Sequence, residues 1–576
     1  MMVPILDPRD GDVEDDASST KRRSLLQLAG NMLAEISIPK LVVVWFLLIG
    51  FPGLLLGATP LLASVWMTTV LSKAFAAFAG VWSVLALILL AALGWLGGRR
   101  LLQLAESSFW SLSALAIQPA YVLFREGFRH LAEALLAGRM LPSGRAKVRA
   151  SAAAASGFTI CCLALGVITM AWPATRWLGS MADLATPVRL LSEVLANAVV
   201  LISAYLALAA LIWGIADATM GQPTDHPGFT DAKPDLRAWR IAHLSDLHTV
   251  GERYGFRIES GRSGPRGNAR LDLVLARLNE AHSAEPLDVV LITGDLTDAG
   301  RSAEWAEFFS ALTAYPRLAE RIVALPGNHD VNVVDRASPA RMEWPASPTK
   351  RLRRLRTMCA LEALQGTRLR IVDSSSCRIG DTLSEVLRPH VAAIAAFADT
   401  GSPRLWRSLS RLWETVFPLV MPPGAEDGLG VIVLDSNAET HFSFTNALGL
   451  ITADQMRGLR GIVRQYPHAN WIIALHHHVI EYPQPTSAFF ERVGTALING
   501  SWFIRGLREL TDRAVIMHGH RHIDWIGQCA GLPILSAPSP VMRPGDDRDA
   551  YFYIHTLTSS NDGRIGLGPP KRIALA

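Results

Sequence analysis

The stretch MHGHRHIDW, residues 517–525, carries histidines at 518, 520 and 522 and no cysteine. A single histidine on an apolar strand is usually a hydrogen-bonded core residue. Three at alternating positions point instead to ligands aimed at a metal ion. Thiolates take no part, because the five cysteines (Cys161, Cys162, Cys359, Cys377 and Cys529) are scattered without CxxC spacing. That argues against both a disulfide framework and a thiolate zinc site. With no internal repeat to supply further copies of the triplet, its partners must come from distant segments.

Outward from this stretch, the C-terminal half alternates short apolar runs with helical patterns. WRIAHLS (239–245), LDVVLIT (287–293), RIVAL (321–325), GVIVLD (430–435), WIIAL (471–475) and AVIMH (514–518) read as buried strands. ARLDLVLARLNEA (269–281), AEWAEFFSALTAY (303–315) and TADQMRGLRGIV (452–463) read as helices between them. Such alternation marks an α/β domain, which holds its reactive groups in loops at the strand ends. The ends here carry Asp246 and His248 (SDLHTV), Asp295 (GDLTD), Asn328 and His329 (GNHD), His476 to His478 (LHHHV) and the opening triplet. A mixture of carboxylate, amide and imidazole suits Mn, Fe or Zn better than Ca or a structural zinc.

In this order, D-x-H, G-D, G-N-H-D, H-H and G-H-x-H resemble the calcineurin-like metallophosphoesterases, over roughly residues 240–554. LDS (434–436), GLITADQMRGL (449–459) and SAPSP (536–540) are also similar to the branch that includes class III cyclic-nucleotide phosphodiesterases. The resemblance implies an α/β fold, a four-layer α/β/β/α sandwich, with two metal ions at the strand ends. Carried over position by position, Asp246, His248 and His522 would hold one ion. Asn328, His476 and His520 would hold the other, and Asp295 would bridge both. His329 is left without a metal and becomes the candidate general acid for the leaving oxygen. Asp330 would orient that histidine, or else cap a helix. Asp298 and Glu304 would support Asp295 or serve as ordinary caps. His477 and His478 face the substrate or stand behind the ligands, and His518 is a strand residue with a local hydrogen bond. The family often has proline near 478, a departure that bears on the pocket wall.

The N-terminal half has another character. At 576 residues the chain is long for one core, and its mean hydropathy of +0.24 is high for a soluble enzyme. Leu41–Val65, Phe75–Gly97, Ala150–Thr175 and Val194–Ile215 each approach the ~20 apolar residues that cross a bilayer. Phe109–Phe124 is shorter and more polar, and reads as an interfacial or re-entrant helix, with a fifth span as the alternative. Lys and Arg cluster in the N-terminal arm and around 99–149, so both termini and the phosphoesterase-like half are expected in the cytoplasm, at the plasma (inner) membrane. The organisation is thus an N-terminal arm at 1–39, a transmembrane region at 40–216 and a Pro-rich linker at 217–236. The enzyme-like domain follows at 237–576, with an insertion at about 334–428.

The formal charge of +4 comes from dispersed Lys and Arg, and nucleic acid is not an expected partner. The loop RYGFRIESGRSGPRGNAR (253–270) places Arg257 and Arg266 where they could grip an anionic substrate, and His477 is a further substrate-binding candidate. In the insertion, RLWRSLSRLWETVF (404–417) is amphipathic and either packs on the core or lies on the bilayer. These readings lead to a membrane-bound phosphodiesterase acting on phosphate esters, lipid-linked or cyclic-nucleotide among them. A non-catalytic membrane sensor of phosphorylated ligands is the alternative.

Overall fold

The computed structural model describes residues 46, 50–77, 118–135, 142–179, 186–230, 237–258, 264–335, 341, 343, 347–373, 376–409, 412–440, 443–483, 495, 497–542, 550–559 and 564–575. The arm at 1–39, most of the Phe75–Gly97 span and residues 109–117 lie outside them. Contacts divide the chain into two units, one of residues 37–220 and one that includes 221–576.

The first unit is helical. Among the described residues three stretches are long and apolar enough to cross a membrane, Phe51–Thr69, Ala146–Ala174 and Val188–Thr219. Their outward faces carry exposed Leu62, Trp66, Phe158, Leu163 and Leu208, an apolar surface suited to lipid. Asn197, the one strongly polar residue within 194–215, is buried and satisfied by backbone. Its amide donates to the Arg176 carbonyl (2.6 Å) and the Gly57 carbonyl (3.3 Å), and its oxygen accepts from Arg176 N–H (3.0 Å). The first of these helices, Phe51–Ala77, passes through Lys73, where the sequence suggested a loop. The helix Gln118–Leu135 is not one of the three, since it carries Arg125, Glu126, Arg129 and Glu133. A fifth span gains no support from it.

Among the described residues the second unit contains fifteen strands in two sheets. In chain order the first eight are β1 (Thr224–Asp225), β2 (Ala238–Leu244), β3 (Val289–Ile292), β4 (Ile322–Ala324), β5 (Arg370–Asp373), β6 (Arg378–Thr382), β7 (Leu419–Met421) and β8 (Leu429–Val433). They are followed by β9 (Asn470–Ala474), β10 (Ala514–His518), β11 (Trp525–Cys529), β12 (Leu532–Ser536), β13 (Tyr551–Ser559), β14 (Ile565–Leu567) and β15 (Lys571–Ala574). The smaller sheet runs β14-β13-β2-β3-β4, with β15 also on β13, and the larger runs β1-β11-β12-β10-β9-β8-β7-β5-β6. Each has a parallel centre, β2-β3-β4 in one and β8-β9-β10-β12 in the other.

Leu244, Val290 and Ala324 of the smaller sheet share one apolar core with Val431, Ile472, Val515 and Leu535 of the larger. The helices outside them bury one stripe each at i, i+3, i+4 spacing. Ala269–Ala284 uses Leu271, Val274, Leu275 and Leu278, and Ala453–Gln465 uses Met456, Leu459, Ile462 and Val463. The fold is the α/β metallophosphoesterase sandwich that the resemblance implied.

Two boundaries differ from the sequence reading. The last membrane helix runs to Thr219, and Thr224–Asp225 pair with β11, so less of 217–236 is free linker than its prolines suggested. The segment 334–428, read as an insertion, contains β5, β6 and β7, which extend the larger sheet. Its amphipathic stretch forms Pro403–Leu409 and Leu412–Val416, with Leu409, Leu412, Trp413 and Val416 buried in the core. The Trp413 indole N–H donates to Asp435 Oδ2 at 2.7 Å. These residues have no apolar face left for a bilayer, so packing on the core is the correct alternative.

Candidate metal centre and active site

Each of the seven proposed ligands lies just after the C-terminus of a parallel strand. Asp246 and His248 follow β2, Asp295 follows β3, Asn328 follows β4, His476 follows β9, and His520 and His522 follow β10. Parallel strands deliver these turns to a common edge, the usual place for sites in α/β folds.

The backbone there is strained. Seven described non-glycine residues have positive φ, and five of them are Asp246 (56°), His248 (44°), Asp295 (51°), His520 (73°) and His522 (53°). Left-handed backbone is unfavourable for residues with a Cβ, by about 1–3 kcal/mol each, and persists only where surrounding structure enforces it. Close approach adds to the constraint. A Cβ on Gly519 would stand 1.7 Å from Ser245 Oγ and 2.6 Å from Asp246 Oδ2, so the turn between His518 and His520 tolerates only glycine.

The donor atoms converge on two adjacent points. Around the first, His522 Nε2 lies 3.4 Å from Asp246 Oδ1 and 3.4 Å from His248 Nε2. Around the second, His476 Nε2 lies 3.1 Å from Asn328 Oδ1, 3.1 Å from His520 Nδ1 and 3.3 Å from Asp295 Oδ2. That same Asp295 oxygen is 3.8 Å from His248 Nε2, while Oδ1 is occupied by the N–H of His329 at 2.8 Å. One carboxylate oxygen therefore faces both points.

The residues fit a pair of cations. Asp246 Oδ1 is buried with no hydrogen-bond partner. His476 Nδ1 faces the Thr293 carbonyl at 2.7 Å, which places its proton there and leaves a lone pair on Nε2. That lone pair, the Asn328 oxygen and the Asp295 carboxylate then face one another as three acceptors, an arrangement that needs a positive charge between them. Protonation equilibria show the same demand. Burial alone would lower the His476 imidazole, but Asp295 above all, with Asp246, raises it to about 9. Burial would raise Asp295, yet His476 and His329 hold it well below the usual carboxylate range. Asp246 is likewise lowered against its burial by His522.

Beside this cluster His329 packs edge-on to His248, with ring centroids 4.4 Å apart. Its Nδ1 lies 2.7 Å from the Asp298 carbonyl, so Nε2 is the nitrogen available for proton transfer. Asp330 does not orient this ring, contrary to the catalytic role expected of it. Its carboxylate accepts from Thr297 N (2.9 Å), Thr297 Oγ1 (2.6 Å), Gly327 N (2.9 Å) and Leu296 N (3.3 Å), tying the loop after β3 to the loop after β4. A buried carboxylate with four donors serves the backbone, and the orienting role falls to the carbonyl of Asp298. The Asp298 side chain reaches His248 instead of Asp295, with Oδ1 3.6 Å from Nδ1. Glu304 caps its helix by accepting from Arg301 N and Ala299 N.

The arginine loop needs a larger correction. Arg257 is buried, and its guanidinium donates to the Pro265 and Gly267 carbonyls at 2.8 and 2.7 Å. It staples its own loop and is not placed to grip substrate. Arg266 is exposed and lies over the Phe256 ring at 4.2 Å. His477 is fully buried, 2.9 Å from Ser436 Oγ through Nδ1, with its ring 4.4 Å from that of His520. His518 is a buried strand residue whose Nδ1 faces the Gly519 carbonyl at 3.3 Å.

Two serines escaped the sequence reading. Ser436 Oγ accepts from the N–H groups of His476 and His477 at 3.2 and 3.1 Å, and Ser539 Oγ donates to the Asp246 carbonyl at 2.7 Å. Both lie in LDS and SAPSP, which carried the branch resemblance without showing what their hydroxyls touch.

Fold and site together define a metal-dependent phosphoester hydrolase. Residues 240–369 match the calcineurin-like phosphoesterase family, and the chain carries a domain of that family. The match includes Asp246, His248, Asp295, Asn328 and His329; His476, His520 and His522 lie beyond it. Solved structures similar to the chain include a dimetal phosphatase from Danio rerio, at 11% identity and TM-score 0.34, covering 59% of this chain and 99% of that one. A NAD nucleotidase from Haemophilus influenzae is 12% identical at TM-score 0.29, covering 59% of this chain and 56% of that one. A purple acid phosphatase from yellow lupin seeds is 11% identical at TM-score 0.25, covering 60% and 55% respectively. The chain thus spans about half the length of the last two. No curated protein matches the sequence.

Proposed function

We propose that the chain is a membrane-anchored phosphodiesterase whose active site faces the cytoplasm and holds two ions of Mn, Fe or Zn. The observation that carries this reading is the single Asp295 oxygen facing both donor clusters. Asp246, His248 and His522 would hold one ion, Asn328, His476 and His520 the other, and Asp295 both. Ions so placed would acidify a water and neutralise charge on a phosphoryl oxygen. The chain's own residues do the rest. Asp295 Oδ1 fixes the N–H of His329, the Asp298 carbonyl holds Nδ1, and His329 Nε2 delivers the proton that the departing oxygen needs. His477 and Arg266 remain candidates for substrate contact, and a lipid-linked or cyclic phosphodiester is the substrate class that suits a membrane location.

The full chain in detergent, loaded with Mn, should hydrolyse bis-nitrophenyl phosphate faster than the nitrophenyl monoester, and chelation should abolish both activities. A monoester preference would replace the diester reading by that of a phosphomonoesterase, and failure on every ester, with metal bound, would favour the sensor. Orientation has its own test. A reporter fused after residue 576 should be active only in its cytoplasmic form, and one inserted within 180–185 only in its exported form. An exported signal at 576 would reverse the orientation drawn from the Lys and Arg distribution.

A further inference from the structure

β11 begins at Trp525, three residues beyond His522, and continues the turn that carries both His520 and His522. One edge of β11 pairs with β12. The other is covered by β1, the short strand that follows the last membrane helix, with Thr224 opposite Gln528 and Asp225 opposite Gly527. His226 N–H donates to the Ile526 carbonyl at 3.1 Å, and the Cys529 thiol donates to the Gly221 carbonyl, Sγ to O 2.9 Å. A side-chain bond closes the end nearest the metal centre, where the Trp525 indole N–H donates to Asp225 Oδ1 at 2.9 Å. The indole folds back over Gly527, where an added Cβ would meet Trp525 Cζ2 at 2.0 Å.

From Trp525 the contacts continue inward. Its ring stands edge-on to Tyr482, centroids 5.4 Å apart, and the Arg521 guanidinium lies over the same Tyr482 ring at 5.7 Å. The Tyr482 hydroxyl pairs with Ser536 Oγ at 2.8 Å, and Ser536 Oγ donates to the Ile523 carbonyl at 2.7 Å. The turn is therefore clamped between β12 and Tyr482, and Trp525 is the clamp's outer jaw.

We propose that β1 is a positioning element of the metal centre, holding β11 and Trp525 so that His520 and His522 stay in their left-handed conformations. The inference rests on the reading of these histidines as ligands. Its physical basis is that two strained residues in one short turn keep their geometry only while both flanking strands are fixed. Without β1, β11 would be an open edge strand, free to fray from the end that adjoins the ligands. Asp225 thereby acts on the site through Trp525, and His226 through the Ile526 carbonyl, without touching it.

The test is Mn binding to the full chain in detergent, by equilibrium dialysis with elemental analysis. His226→Pro removes the ladder N–H and should weaken binding about tenfold. Asp225→Ala and Trp525→Phe each remove one side-chain hydrogen bond and should weaken it about threefold. The double variant should be no worse than either alone, because both delete the same contact. Asp225→Asn keeps an acceptor for the indole and should bind as the wild type does. Should His226→Pro fail to fold, the other variants still decide the matter. Wild-type affinity in Asp225→Ala and Trp525→Phe would overturn the role of β1 alone. A wild-type chain that binds no Mn would remove the ligand assignment, and this inference with it.

Discussion

Asp295→Ala should strip the chain of both ions, while His248→Ala should leave one ion's ligands complete. The difference follows from one atom. Asp295 Oδ2 is 3.3 Å from His476 Nε2 and 3.8 Å from His248 Nε2, so its loss opens both clusters at once. Asp295 also supplies negative charge to a buried site whose other donors on the second cluster are neutral, so its loss leaves a cation there without a charged ligand. Losing several kcal/mol of charge stabilisation in the transition state corresponds to a fall in kcat/KM on the order of 10³-fold. Elemental analysis separates this from a general defect. The wild type should carry two ions per chain, His248→Ala at least one, and Asp295→Ala fewer than His248→Ala. Two ions retained in Asp295→Ala would show that this carboxylate does not bridge.

Replacing His329 should have a different signature. His329→Ala should keep both ions, because the seven proposed ligands supply both points without it, although its ring stands with His248 and Asp298 beside the first. Its cost should depend on how much the leaving group needs a proton. A nitrophenolate departs readily as an anion, so bis-nitrophenyl phosphate should lose little. An alkoxide, as in a cyclic nucleotide or glycerol diester, is a much stronger base and should lose about 10²–10⁴-fold in kcat. Asn328→Ala should instead weaken the second ion and harm both substrates alike. Equal losses for the two substrates in metal-replete His329→Ala would make His329 a positioning residue and not an acid.

The six strands seen in the sequence, β2 to β4 and β8 to β10, all belong to the parallel centres of the two sheets. Buried on both faces, they read as unbroken apolar runs such as Val289–Ile292 and Ala514–His518. Some strands that escaped notice are edge or near-edge elements, such as Arg370–Asp373 and Lys571–Ala574, whose exposed charged residues hide any strand period. Leu532–Ser536 and Tyr551–Ser559 are interior, and their mixed polar and apolar residues form no unbroken apolar run. Helical stripes such as Leu271, Val274, Leu275 and Leu278 were legible for the same reason as the central strands. Candidate site residues were legible where type and order sufficed to bring them to one edge of the fold, as for the seven proposed ligands. They were not where the answer lay in a partner's backbone. Nothing in the symbols for Arg257 or Asp330 says that the donors of one will meet the carbonyls of its own loop, or that the oxygens of the other will meet the amides of two loops. Carbonyl and amide groups are present at every position, so sequence carries no mark of which are left unpaired.

The left-handed ligands bear on how such a chain drifts under mutation. At Asp246, His248, Asp295, His520 and His522 glycine would relieve the backbone, but at Asp246 and Asp295 it would also strip the acceptors from the His520 and His329 N–H groups. The strain is thus held in place partly by the same side chains that are proposed as ligands. A lineage that stopped needing the proposed reaction would be free to shed the strained side chains whose proposed service is to an ion, His248 and His522 among them.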